Sequence, residues 1–126
     1  MFQKIPVNRL LALLRQWWLP LTVALLSAIA LLTLWPSERM PTVPGGDRLH
    51  HLIAYAALVF PVAFCRPRYW RCLVLLFVAW GGVLELLQPY FNRHNEWQDF
   101  LANILGVVFG LLMAHLLRYL EARNAP

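Results

Sequence analysis

The sequence predicts an all-α membrane protein in which four transmembrane helices form a compact bundle with short loops. Hydrophobic residues make up 60% of the 126 residues and charged residues only 13%, whereas a soluble domain carries about 25% charged residues. The apolar residues form four long runs, each close to the roughly 20 residues that a helix needs to cross a bilayer. Polar and apolar residues do not alternate within these runs, so they do not fit a transmembrane β-barrel.

The predicted spans cover residues 19–35, 49–64, 72–88 and 99–117. Pro20 is expected in the first turn of the first span, where its missing N–H costs little. Pro61 lies inside the second span and predicts a kink there. A helix from Trp18 to Trp35 rises about 26 Å at 1.5 Å per residue, which is close to the distance between the two interfacial belts of aromatic residues.

The first 18 residues are predicted to form a separate amphipathic helix on the inner membrane surface. Its apolar face is expected to carry Leu10, Leu13, Leu14 and Trp17. The chain then divides into a cytoplasmic interfacial segment (1–18), a four-helix transmembrane domain (19–118) and a cytoplasmic tail (119–126).

Lys and Arg residues are distributed unequally between the two sides of the predicted membrane. One side carries eight, namely Lys4, Arg9, Arg15, Arg66, Arg68, Arg71, Arg118 and Arg123. The other side carries three, Arg39, Arg48 and Arg93. Because cytoplasmic segments carry the excess of Lys and Arg, both termini are predicted to lie in the cytoplasm.

Several classes of function are disfavoured. The net charge is +5, but the basic residues lie in short clusters between apolar runs instead of forming a surface for nucleic acid. Cys65 and Cys72 are seven residues apart, which is neither a zinc nor a redox spacing, and we interpret them as reduced structural residues. No glycine-rich loop followed by Lys-Ser or Lys-Thr indicates a nucleotide. An ion path is disfavoured because the ionisable residues gather toward one end of the spans.

Polar residues that are costly in lipid, and are therefore candidates for function, lie at the outer ends of three predicted spans. They are Asp47, His51 and Tyr55 in the second span, Glu85 and Gln88 in the third, and Asp99 and Asn103 in the fourth, with Arg93 and Glu96 in the connecting loop. Spacings of three and four residues place each group on one helix face. Since all three groups lie at one membrane depth, we expect them to meet.

Gly106 and Gly110 continue the polar face of the fourth span. Their G-x-x-x-G spacing lets another helix approach closely. The face is therefore predicted to point into the bundle, where Asp99 avoids lipid.

Three roles for these polar residues stay open. In an enzyme, the catalytic candidates are Asp47, His51, Glu85 and Asp99, with His51 as a general base oriented by Asp47 and Glu85 as an acid. In a binding site, the candidate contacts are Arg48, Gln88, Arg93 and Asn103, and the two arginines suit a phosphate or carboxylate. In a purely structural cluster, Glu85 pairs with a cation, because the helix dipole disfavours an anion near a C-terminus.

The same four residues, Asp47, His51, Glu85 and Asp99, are the candidate metal ligands. Oxygen-rich ligands with one histidine suit Mg²⁺ or Mn²⁺ better than a thiolate-selecting metal. No tight ligand motif supports a metal, so no cofactor is predicted and a divalent cation is the alternative.

The order and spacing of these residues resemble the VanZ-like membrane protein family. The family's Asp-Lys-x-x-His helix start is matched by Asp47-Arg48-Leu49-His50-His51, with Arg in place of Lys. Its Gly-x-x-x-Glu-x-x-Gln pattern is matched by Gly81 or Gly82 with Glu85 and Gln88, and it continues as Arg93, Asp99, Asn103, Gly106 and Gly110. Glu96 departs from the pattern, because the family has a small polar residue there as often as an acid. The resemblance covers residues 47–110.

The resemblance implies a multi-pass protein of the bacterial inner membrane, because the family is named after an accessory factor in glycopeptide antibiotic resistance. We therefore expect the polar cluster at the non-cytoplasmic face to bind an envelope precursor, another lipid-linked ligand or a membrane protein partner. The alternatives are a membrane hydrolase or transferase acting on a lipid-linked envelope substrate, and a purely structural salt-bridge cluster.

Overall fold

The computed structural model describes residues 6–35, 46–91 and 96–125, apart from the side chains of Gly46 and Asp47. The helices are α1 (Val7–Leu34), α2 (Gly46–Cys65), α3 (Trp70–Leu87) and α4 (Trp97–Arg123), with a short 3₁₀ helix, Gln88–Phe91, after α3. All four α-helices are long and apolar enough to cross a membrane. The predicted fold class, a bundle of four transmembrane helices, is confirmed.

α1 begins earlier than its predicted span. It runs without interruption from Val7 to Leu34, so no helix break marks the predicted boundary at residue 18. The expectation for Pro20 was wrong, because this proline lies inside the helix, where it removes the hydrogen bond to the Gln16 carbonyl. The placement of residues 1–18 on the inner membrane surface stays a prediction.

The N-terminal part of α1 packs against the bundle. Leu11 is buried in a cluster with Ala63, Phe64 and Ala114, and Leu14 packs against the same cluster. The residues that face away from it, each about half exposed, are Leu10, Leu13 and Trp17. These contacts with α2 and α4 explain why the helix extends beyond the apolar span.

α2 lies at the centre of the bundle. Tyr55, Leu58, Val59, Val62 and Phe64 are each at most 1% exposed. The other three helices keep large apolar faces outside, where the most exposed leucines include Leu31, Leu75, Leu86 and Leu112. A soluble monomer rarely exposes so much contiguous apolar surface, whereas a membrane protein covers it with lipid.

α2 and α4 form the most extensive helix pair, and the two glycines of α4 lie within it. A Cβ on Gly106 would come within 2.3 Å of the Leu52 carbonyl oxygen. A Cβ on Gly110 would lie 2.3 Å from Cγ1 of Val59 and 2.7 Å from the Ala56 carbonyl oxygen. Only hydrogen fits at these positions, so the two helix backbones approach closely.

Basic side chains gather where the start of α1, the end of α2 and the end of α4 meet. Arg15 forms an ion pair with Glu121, with 2.6 Å between Nη2 and Oε2. Arg118 donates a hydrogen bond to the carbonyl oxygen of Phe64, one of the last α2 carbonyls, which lack helical partners. We call this region the basic end of the bundle.

Candidate functional site

A histidine and two carboxylates meet at the end of the bundle opposite the basic end. His51 lies in the second turn of α2, Glu85 in the last turn of α3 and Asp99 in the first turn of α4. One potential ligand atom from each residue lies within 4.8 Å of the other two. Successive spans run in opposite directions, so the start of α2, the end of α3 and the start of α4 share one end. We call these three residues the His–Glu–Asp cluster.

The His–Glu–Asp cluster is buried between the helices. Glu85 and Asp99 are 7% and 6% exposed, and the His51 side chain is 10% exposed. Ionisable residues within transmembrane segments are rare, face the bundle interior and mark functional pathways or sites. The burial therefore makes these three residues the leading candidates for function.

Asn103 orients the imidazole ring of His51. The His51 Nδ1 and the Asn103 Oδ1 are 2.8 Å apart. Because an amide oxygen only accepts hydrogen bonds, Nδ1 is the donor of this bond, and in a neutral ring Nε2 then carries the lone pair. This Nε2 is 3.9 Å from Oδ2 of Asp99, too far for a direct hydrogen bond. The bond to Asn103 therefore holds the ring with Nε2 on the side of the Asp99 carboxylate.

Gly81 leaves space for the side chains next to the cluster. A Cβ at this position would lie 3.0 Å from both the Tyr55 hydroxyl oxygen and the Asn103 Nδ2. These two polar groups thus converge on α3 one turn before Glu85. Since Tyr55 also belongs to the apolar core, it marks the boundary between the core and the cluster.

A polar rim lies at the surface beside the cluster. Arg48 donates a hydrogen bond to Oε1 of Gln98, and its Nη2 lies 3.5 Å from Oε2 of Glu96. The side chains of Arg48 and Glu96 are 60% and 55% exposed. An exposed ion pair of this kind contributes little to stability. The ion pair leaves the Arg48 guanidinium accessible at the surface of the bundle.

Gln88 connects this end of the bundle to α1. Its side chain is fully buried, and Nε2 donates a hydrogen bond to the carbonyl oxygen of Thr33 at 3.3 Å. Among the residues that the structure describes, the Gln88 Oε1 has no hydrogen-bond partner. Gln88 therefore packs against α1.

The structure brings together four predicted site residues and separates others. The residues that lie together are His51, Glu85, Asp99 and Asn103. Arg48 lies at the rim and Gln88 against α1. The side chain of Asp47 and all of Arg93 lie outside the described residues, so their catalytic, metal-binding and ligand-binding roles stay predictions.

Two contributors were missed by the sequence analysis. Gln98 holds Arg48 at the rim, and its position next to Asp99 at the start of α4 was the available signal. The backbone carbonyl of Thr33 accepts the hydrogen bond from Gln88. Nothing in the amino-acid sequence indicates this contact.

The arrangement suits two kinds of chemistry. An imidazole lone pair beside two carboxylates is a donor set that binds divalent cations. The same imidazole, held in one tautomer, is also suited to accept and return a proton.

Comparisons with known proteins gave no match. No family model matches the sequence, and neither the curated proteins nor the solved structures include a match. The resemblance to VanZ-like proteins, which is based on the order and spacing of polar residues, stays a prediction.

Proposed function

We propose that this protein is a multi-pass bacterial inner-membrane protein that binds the polar head group of an envelope precursor or another lipid-linked ligand at the non-cytoplasmic face. The observation that carries the proposal is the convergence of His51, Glu85 and Asp99, from three helices, in one buried cluster. The excess of Lys and Arg on the other side supports the orientation, and the VanZ-like spacing supports the link to the envelope.

The packing of the bundle argues against a purely structural cluster. α2 and α4 approach each other through Gly106 and Gly110, which need no polar side chain for this contact. The apolar core joins side chains from all four helices. The glycine contact and the apolar core therefore hold the helices together without the cluster. Burying ionised groups, in contrast, has a desolvation cost. A binding function accounts for that cost.

The rim provides a positive group at the surface of the site. The exposed Arg48 guanidinium, positioned by Gln98, offers paired N–H groups that match a phosphate or a carboxylate. An anionic head group that contacts Arg48 lies one helical turn from His51. The proposed ligand is therefore an anionic lipid-linked molecule.

A second candidate function is a membrane hydrolase or transferase acting on such a molecule. The hydrogen bond between His51 and Asn103 favours it, because it leaves Nε2 in the form that a general base needs. Release of inorganic phosphate from an added polyprenyl diphosphate by the purified protein distinguishes a hydrolase of this kind from a binding protein.

Native mass spectrometry with a polyprenyl phosphate tests the binding function. We expect the detergent-solubilised unmodified protein to retain one lipid per chain, and His51→Gln to bind it about tenfold more weakly, because the imidazole that Asn103 holds in the site is lost. Glu121→Gln is the matched control, since it alters an exposed ion pair at the basic end. Equal retention by unmodified protein and His51→Gln, or an equal loss in Glu121→Gln, contradicts the proposal.

A further inference from the structure

We infer that the His–Glu–Asp cluster is a divalent-cation site suited to Mn²⁺, with His51, Glu85 and Asp99 as its protein ligands. This inference rests on the proposed function, because the cation would lie in the same site and would bind the anionic head group directly.

The three donor atoms form a triangle of suitable size. They lie within 4.8 Å of one another. Ligand atoms that bind a zinc-like ion at about 2.0–2.2 Å lie roughly 3.0–3.5 Å from one another in a tetrahedral or octahedral site. An inward shift of at most about 1 Å by each side chain therefore closes the site around one ion.

The hydrogen bond from His51 to Asn103 gives the ring the orientation of a metal ligand. Metal-bound histidines almost always donate their other ring N–H to an oxygen acceptor, which fixes the tautomer. Here Oδ1 of Asn103 is that acceptor, 2.8 Å from Nδ1. The remaining nitrogen, Nε2, lies on the side of Asp99. Asn103 is thus a positioning residue for the proposed site.

The charges of the ligands suit a divalent cation. Ionised Glu85 and Asp99 contribute two negative charges, and His51 is neutral when only Nδ1 carries a proton. Binding of one divalent cation brings the sum of these three side-chain charges to zero.

The types of donor atom are compatible with Mn²⁺, whose usual ligands are carboxylate oxygens. One imidazole nitrogen with two carboxylates is less suited to Mg²⁺, which is bound through oxygen and water. Metals that require thiolate ligands do not fit this site. The two cysteines lie far from it, Cys65 at the end of α2 and Cys72 at the start of α3. Three protein ligands leave positions on an octahedral ion for phosphate oxygens.

Mn²⁺ binding to the purified protein, measured by electron paramagnetic resonance, tests the site. We expect one tightly bound Mn²⁺ per chain. Glu85→Gln and Asp99→Asn should each weaken binding more than about 100-fold, and Asn103→Leu about 10- to 100-fold, as outer-shell partners of metal ligands do. Glu121→Gln should bind Mn²⁺ like the unmodified chain.

The unmodified chain provides a readout that does not depend on the folding of any variant. Bound Mn²⁺ should show magnetic coupling to a histidine nitrogen in electron spin echo spectra. Absence of bound Mn²⁺ in folded protein, or bound Mn²⁺ without nitrogen coupling, overturns the inference.

If polyprenyl phosphate is retained without any Mn²⁺ site, the cation inference fails and the binding function stands. If Mn²⁺ binds with the expected coupling and the lipid is not retained, the cation site stands and the binding function fails.

Discussion

Gly106→Ala should lose more than about 3 kcal/mol of folding stability, because the added methyl group overpacks a contact between two helix backbones. The new Cβ would lie 2.3 Å from the Leu52 carbonyl oxygen and 3.0 Å from its carbon. A backbone cannot turn aside as a flexible side chain does, so α2 and α4 have to separate. The helices that carry His51 and Asp99 then no longer meet, and most of the folded protein should disappear.

Gly82→Ala is the matched control for this substitution. Its Cβ would meet Cε2 of Phe100 at 3.4 Å, an ordinary contact, and alanine favours a helix over glycine by about 1 kcal/mol. We expect this variant to fold at least as well as the unmodified chain. Unfolding by increasing fractions of sodium dodecyl sulfate in mixed micelles measures both variants. Equal unfolding midpoints for Gly106→Ala and Gly82→Ala would show that the glycine contact is not essential.

Tyr55→Ala should destabilise the bundle by about 3 kcal/mol, because it leaves a cavity where a large side chain packs at the centre of three helices. Tyr55 is 1% exposed and belongs to the main apolar core. Its hydroxyl lies next to Gly81, close to the amide of Asn103. Loss of the ring therefore removes core packing and also the support beside the His–Glu–Asp cluster.

Tyr55→Phe separates the two contributions of this residue. It keeps the aromatic ring, so its effect on stability should be only about 1 kcal/mol, the contribution of a typical hydrogen-bonding group. The same unfolding titration compares the two variants. If Tyr55→Ala unfolds at the detergent fraction of the unmodified protein, the ring does not contribute to the core as described.

The positions of the helices were predictable because each span must by itself be apolar enough to lie in the lipid bilayer. A run of about 20 apolar residues identifies a span whatever its neighbours are, and all four predicted spans lie largely within observed helices. The early start of α1 was not predictable in this way. It depends on the packing of Leu11 in one cluster with Phe64 and Ala114, which are far away in the sequence.

The site was predictable to the extent that helical spacing determines a shared face. Asp99, Asn103, Gly106 and Gly110 lie on one stripe of α4, all of them buried, and the glycines direct this stripe toward α2. The spacing also indicated that the groups lie at one membrane depth. It therefore predicted which helix ends meet.

Individual contacts between helices could not be read from the sequence. The hydrogen bond from His51 joins it to Asn103, 52 residues away, and it depends on how α2 and α4 are rotated about their axes. For the same reason Arg48, predicted as a ligand contact, was not expected to bond with Gln98. Such details depend on side-chain packing between helices, which local spacing does not describe.

The most direct test of the functional role of the His–Glu–Asp cluster combines stability and function in one set of cells. Glu85→Gln, Asp99→Asn and the control Glu121→Gln are compared for the melting temperature of the solubilised protein and for envelope-stress or glycopeptide tolerance of the host. We predict that both cluster variants melt within a few degrees of the unmodified protein, which corresponds to less than about 1 kcal/mol, and lose the tolerance, while Glu121→Gln keeps both. If melting temperature and tolerance fall together in the cluster variants, the cluster is structural and the proposed site is wrong.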